Sequence, residues 1–279
     1  MNLHKLIFTN NACYKAGRRI TPKGIMVHST GANNPWLKRY VGPDDGLLGK
    51  NQYNNHWNQS MDREVCVHAF VARDEVIQTL PWNWRGWHAG TPKGGGVSAN
   101  NTHISFEILE PAGHTYQGGT MVGYDPEKND GYFRAVYRNA VELSAMLCRQ
   151  YRLDPMEPGV ILDHAGGHAL GIASNHSDVG QWWPLHGKTM DDFRRAVRDA
   201  MRGGEETVTQ EQFDAMMADY LARRGREKPS DWSENARRWA EEAGLVSGDS
   251  AGMRYRDFTT REETIQFLYR YQQVTEGKP

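Results

Sequence analysis

Short apolar runs alternate with longer amphipathic stretches along most of this chain. GIMVHS (24–29) is a β-branched run after a Thr-Pro turn and predicts a strand. VCVHAFVA (65–72) and EVIQTL (75–80) flank Arg73-Asp74, which predicts a hairpin. HISFEIL (103–109) alternates apolar and polar residues like a half-buried strand, and GVILDH (159–164) reads as another. YFRAVYRNAVELSAMLCRQY (132–151) places its apolar residues at helical spacing, and MDDFRRAVRDAM (190–201) predicts a closing helix. Strands alternating with helices predict an α/β fold, a central mixed β-sheet flanked by helices.

The pattern changes at RGGEETVT (202–209), a Gly pair followed by acidic and Thr residues that reads as a linker. Beyond it only helical segments follow, at 209–224, 233–245 and 260–271, the last opened by Thr260 with Glu263 in a capping box. The expected organisation is a domain over 1–204 and a small all-α module over 205–279.

Composition narrows the function. With 38% hydrophobic and 24% charged residues in 279, the chain has the make-up of a globular protein of one full domain plus a small one. A net charge of −1 leaves no electrostatic footprint for nucleic acid. No run approaches the roughly 18–20 apolar residues of a membrane span. The first residues, MNLHKLIFTNNACYKAG, are basic but lack the apolar core and cleavage site of a secretory signal.

Three cysteines without CxxC spacing suggest neither a disulfide framework nor a zinc knuckle. Cys66 and Cys148 fall in apolar patterns that predict core positions, whereas Cys13 sits in a polar context that leaves it more exposed. NNACYKAG offers Cys13 neither the base nor the oxyanion loop that a cysteine peptidase needs. Nine tryptophans suggest a carbohydrate or peptide groove, although core packing accounts for about half of them.

Chemistry concentrates at the strand ends. His28 closes GIMVHS and His164 closes GVILDH, while GIASNHSDVGQWWP (171–184) carries Asp178 two residues after His176. Two imidazoles and a carboxylate are a normal zinc ligand set that leaves a fourth position for water. Such a site suits amide hydrolysis, because the metal acidifies water and polarises a carbonyl. No HExxH helix pairs the ligands, and His168 with His176 forms a second possible register beside His164 with Asp178.

Taken together, GIMVHST, NNHW, VHAFVARDEVIQTLPWNWRGWHAG, NNTHISFEILE, ILDH and GIASNHSDVGQWWP resemble a zinc-dependent N-acetylmuramoyl-L-alanine amidase of the phage endolysin and peptidoglycan recognition superfamily. The similarity covers roughly residues 20–200, with the motifs in the family's order. It implies a mixed sheet with a groove across one face and zinc at its floor, held by His28, His164 and Asp178. Glu107, in SFEIL, matches the family's catalytic glutamate, and His176 stands where relatives carry an oxyanion-stabilising lysine or histidine.

His68 and His88 match family positions that line the groove, with hydrogen-bonded framework as the other reading. Trp87 and Trp183 either stack on sugar rings or pack under the loop. Ser29 lacks a GxSxG elbow and reads as a helper hydroxyl. Gly166 departs from the family, which places an acidic residue two positions after the ligand histidine. The implied partner is bacterial peptidoglycan, and the implied setting is a lysin held in the cytoplasm of the producing cell until its release to the wall, or exported by a non-classical route. The sequence leaves the oligomeric state open. A binding-only recognition module would lack a ligand, whereas Asp178 and Glu107 are both retained here. Residues 229–270 are in turn similar to a single S-layer-homology-type repeat, a wall-binding helical module that usually acts as three copies.

Overall fold

The chain is described from a computed structural model at residues 1–42, 48–60, 65–92, 94–203, 210–248, 250 and 252–277. It divides into two units, 1–205 and 206–279. The 204/205 boundary read from the sequence lies within 204–209, outside the described residues. No helix among the described residues is long and apolar enough to cross a membrane.

The first unit is built on six strands, β1 Leu3–Lys5, β2 Gly24–Ser29, β3 Ala69–Val71, β4 Val76–Gln78, β5 His103–Ile108 and β8 Ile161–Asp163. Their spatial order is β1-β4-β3-β5-β2-β8. Every neighbouring pair is parallel except β3 with β4, the hairpin predicted around Arg73-Asp74. The mixed sheet is therefore present, with β3 and β5 at its centre and β2 between β5 and the edge strand β8.

Strand periodicity sorts the side chains onto two faces. Ile25 and Val27 of β2, with Ile104, Phe106 and Ile108 of β5, pack on one face in a single core. That core is closed by α2 (Pro126–Tyr151) through Phe133, Val136, Ala140, Leu143 and Leu147, at helical i, i+3, i+4 spacing. The helix α4 (Met190–Gly203) adds Phe193 and Val197. On the opposite side Phe70 and Ile77 meet Phe8, Cys13, Leu37, Tyr40 and Leu80. The alternate residues of β2 and β5 that do not join the α2 core are Gly24, Met26, His28, His103, Ser105 and Glu107.

Several elements differ from the sequence reading. The helix α2 begins six residues before 132, because Asp125 caps it by accepting from the Lys128 N–H and Pro126 starts it with a preset φ. A small hairpin, β6 Thr115–Gln117 with β7 Thr120–Val122, was not read from the sequence. Its turn is Gly118-Gly119, at φ +56° and +83°, the conformation a two-residue hairpin turn demands. Cys13, in the short helix α1 (Ala12–Lys15), is 2% exposed and not the more exposed thiol expected. Its apolar neighbours supply burial that its polar sequence context hid.

In the second unit lie α5 (Gln210–Gly225), α6 (Glu234–Glu242) and α7 (Arg261–Thr275). The Thr260–Glu263 capping box of α7 is complete in both directions. Leu245 is the buried apolar side chain among this unit's described residues, while Phe213, Met216, Trp232, Trp239, Phe258, Ile265 and Leu268 are exposed.

Candidate metal centre

Three strand ends bring the chemistry together. His28 on β2 is in register with Glu107 on β5, and Val27 is in register with Asp163, the last residue of β8. One step further along, His164 comes alongside His28, so the carboxylate and both imidazoles lie in a row across the C-terminal ends of three parallel strands. That end of a parallel sheet is where open α/β folds bind ligands. His164 also opens the short helix α3 (His164–Ala169), whose N-cap Asp163 accepts from the Gly166 N–H at 2.8 Å. A Cβ on Gly166 would approach that Asp163 oxygen to 3.0 Å. Here residue 166 serves the cap that aims His164.

Asp178 arrives from the 171–184 loop at φ +42°, a left-handed conformation uncommon outside glycine and the Asx residues. Its Oδ2 lies 2.9 Å from His28 Nδ1 and 3.0 Å from His164 Nδ1. The donor atoms of these three residues all fall within 4.8 Å of one another. A tetrahedral zinc with bonds of about 2.0–2.1 Å to nitrogen and oxygen separates its ligands by roughly 3.3 Å. The set fits such an ion with small adjustments of rotamer.

Electrostatics agree. Burial alone would raise the Asp178 pKa, but the His28 and His164 imidazoles hold its carboxyl well below the usual range. Glu107 goes the other way: burial, then the nearby Asp178 and Glu110 carboxylates, pushes its pKa well up. Its Oε2 is buried with no hydrogen-bond partner among the described residues. A cation beside Glu107 would relieve both the like-charge repulsion and the unpaired oxygen.

The remaining sequence-predicted residues divide. His176 is exposed, with its ring 4.6 Å from that of His164, at the rim of the cluster. His168 faces away, its Nδ1 3.3 Å from the Ala173 carbonyl, and is not in the three-residue donor group. His88 is partly buried beside His28, its Nδ1 3.2 Å from His28 Nε2. Trp87 is partly buried, bridged through its backbone to Cys66 and covered by the Arg85 guanidinium at 4.7 Å from its ring. Ser29 is buried, and its Oγ has no partner among the described residues.

Two groove assignments need correction. Trp183, placed among the groove residues with packing under the loop as its other reading, is 2% exposed and packs edge-on to Tyr137 and against Phe193, so the ring belongs to the α2–α4 core. His68 is fully buried, with Nε2 2.7 Å from the Trp84 carbonyl and Nδ1 accepting the Ser105 N–H at 3.0 Å. Both its nitrogens serve the framework and none faces a groove.

The sequence reading passed over Ser174, whose Oγ lies 3.1 Å from His164 Nε2. It also passed over Glu110, a buried carboxylate that accepts from Tyr116 Oη at 2.7 Å and lies 3.2 Å from His114 Nε2. Ser174 stood inside a loop already marked as polar, which was the available signal. Glu110 was passed over because Tyr116 belongs to a hairpin that the reading did not contain and Gly31, whose N–H the carboxylate also accepts, is 79 residues away.

Residues 17–181, more than half of the chain, match the family described as N-acetylmuramoyl-L-alanine amidase. Similar solved structures include the Staphylococcus aureus hydrolase AmiA in complex with its ligand, 19% identical over 76% of this chain and 85% of that one, at a TM-score of 0.46. A mutant endolysin from Bacillus subtilis is 24% identical over 71% of this chain and 99% of that one, at 0.42. The amidase AmiD of E. coli, in complex with anhydro-N-acetylmuramic acid-L-Ala-D-gamma-Glu-L-Lys, is 15% identical over 92% of this chain and 80% of that one, at 0.35. No curated protein matches the chain.

Proposed function

The chain belongs to the N-acetylmuramoyl-L-alanine amidase family, and we propose that it hydrolyses the lactyl–L-alanine amide of peptidoglycan at His28, His164 and Asp178, with zinc as the metal. The observation that carries this reading is the convergence of three donor atoms beside a buried, unpartnered carboxylate. When bound, zinc would supply Lewis acidity that acidifies water and polarises a carbonyl.

The chain's own residues would do the rest. Glu107 takes a proton from the attacking water and returns it to the departing alanine nitrogen, so the lactyl carbonyl gains oxygen and the stem peptide leaves as a free amine. Burial suits Glu107 to this double role, because it makes the carboxylate the stronger base. His176, exposed at the rim, donates to the oxyanion that forms as the carbonyl is attacked. A phage endolysin is the setting that suits this activity, with the second unit as its wall-binding part.

A binding-only recognition module is disfavoured by the complete donor set next to Glu107. The test is incubation of the purified protein with a soluble muropeptide, reading release of the L-alanine amino group, before and after chelation and zinc return. Chelator-sensitive release restored by zinc is the expected result. Binding without release, or release by metal-free protein, overturns the proposal.

A further inference from the structure

Resting on the metal-centre reading above, we infer that His88 and Ser174 are positioning residues that fix the ring tautomers of the two ligand histidines. His28 and His164 each aim Nδ1 at Asp178 Oδ2. Their other ring nitrogens point away from the cluster. His28 Nε2 lies 3.2 Å from His88 Nδ1, and His164 Nε2 lies 3.1 Å from Ser174 Oγ.

Both of these contacts run on to a main-chain carbonyl. His88 Nε2 is 3.3 Å from the His103 carbonyl oxygen, and Ser174 Oγ donates to the Ala89 carbonyl at 3.4 Å. A carbonyl oxygen can only accept. His88 therefore carries its hydrogen on Nε2, and its Nδ1 is left to accept from His28 Nε2–H. Ser174 likewise spends its hydrogen on Ala89, and its oxygen accepts from His164 Nε2–H. When a metal is bound, each chain would hold the ring hydrogen at Nε2 and leave the Nδ1 lone pair of the ligand histidine to the ion, in place of the Nδ1–H that Asp178 Oδ2 accepts.

One segment, 87–90, serves both chains. Asn100, fully buried, accepts at Oδ1 from the His88 and Ala89 N–H groups, each at 2.8 Å, which fixes the backbone under the His88 ring. Gly90, at φ +63°, comes so close to Ser174 that a Cβ there would stand 2.5 Å from its Oγ. The glycine admits the hydroxyl that holds His164.

The experiment measures zinc affinity of the full chain by chelator competition for the wild type, His88→Leu, His88→Asn and Ser174→Ala, with thermal unfolding of each zinc-free protein alongside. His88→Leu and Ser174→Ala should bind zinc about 10- to 100-fold more weakly, the usual effect of losing a ligand's outer partner. His88→Asn, whose Oδ1 can stand where Nδ1 stood, should recover most of the affinity. A leucine variant that binds like wild type, or an asparagine variant as weak as the leucine one, overturns the inference. Side-chain ¹H–¹⁵N spectra of the zinc-loaded wild type give an independent reading that needs no variant. Protonation of His28 and His88 at Nε2 alone supports the inference, and a proton on His88 Nδ1 overturns it. Wild-type protein that takes no zinc overturns the metal centre and this inference with it, whereas normal wild-type binding with unaffected variants overturns this inference alone.

Discussion

His28 and Glu107 stand opposite each other, in register, on the adjacent parallel strands β2 and β5. Residues so paired share a face, and neighbouring strands are about 4.8 Å apart, so the separation of ligand and base is set by the sheet and not by a loop. Glu107→Gln keeps the shape and removes the base. Turnover on a soluble muropeptide should fall by about 10²–10⁴-fold while zinc content is unchanged. The zinc-free variant should melt no lower than wild type, because a buried carboxylate has become a neutral amide. Loss of less than a few-fold in turnover removes Glu107 from the chemistry.

Asp178 is tested by separating its charge from its backbone. At φ +42° the position tolerates Asn better than Ala, since Asx residues visit the left-handed region more readily. Asp178→Asn should therefore fold like wild type yet lose most of its zinc, because the anionic ligand is gone. Asp178→Ala should lose zinc and some thermal stability as well. Retention of full zinc by the asparagine variant would show that Asp178 is not a ligand.

The sheet was legible in the sequence because its central strands are short apolar runs, and the row Glu107–His28–His164 followed from motifs at their ends. What the sequence hid was set by distant partners. Trp183 was left open between a groove aromatic and a packed ring because nothing local shows that Tyr137 and Phe193 enclose it. The ring nitrogens of His68 are taken by Trp84 and Ser105, which are 16 and 37 residues away. Cys13 looked exposed for the same reason, since its cover comes from Phe8, Leu37 and Tyr40 and its sequence neighbours are polar. Local pattern marked the polar residues that the strand ends bring together better than it marked which ones merely pack.

His176 and His168 separate the two ligand registers. With Nδ1 turned to the Ala173 carbonyl, His168 should be dispensable: His168→Ala should keep zinc and nearly all activity. His176→Ala should also keep zinc but lose about 10²–10³ in turnover with little change in KM, as for removal of one oxyanion donor. Zinc analysis beside steady-state kinetics reads both. A zinc-free His176→Ala protein would move the ligand set to the other register.

His68 should make stability depend on pH. Burial lowers its pKa from 6.5 to about 4, against the opposing hydrogen bonds to Trp84 and Ser105. Between those values the unfolded chain binds a proton that the folded one refuses, so stability rises with pH. The His68 contribution is complete above pH 6.5 and is lost as pH falls toward 4, a swing of about 3 kcal/mol at 1.36 kcal/mol per pKa unit. Urea unfolding of His68→Gln should show a weaker loss between pH 7.5 and pH 4.5 than wild type, even though the variant starts lower. Equal losses in the two proteins would assign the acid sensitivity to other groups.

The second unit should be separable from the chemistry. The apolar clusters that close the sheet draw their members from residues up to Met201. None of the donor residues lies beyond Asp178. A chain ended at residue 205 should therefore fold, bind zinc and cleave soluble muropeptides at the full-length rate. On intact walls it should be slower, because a wall-bound tail raises the local substrate concentration. The exposed Trp232, Trp239 and Phe258 offer that tail stacking surfaces for a wall polymer. Parallel assays on soluble fragments and on whole cell walls separate the outcomes. Equal wall clearance by the two lengths would remove the tail from wall binding, and a shortened chain that fails to fold would place the second unit in the core of the first.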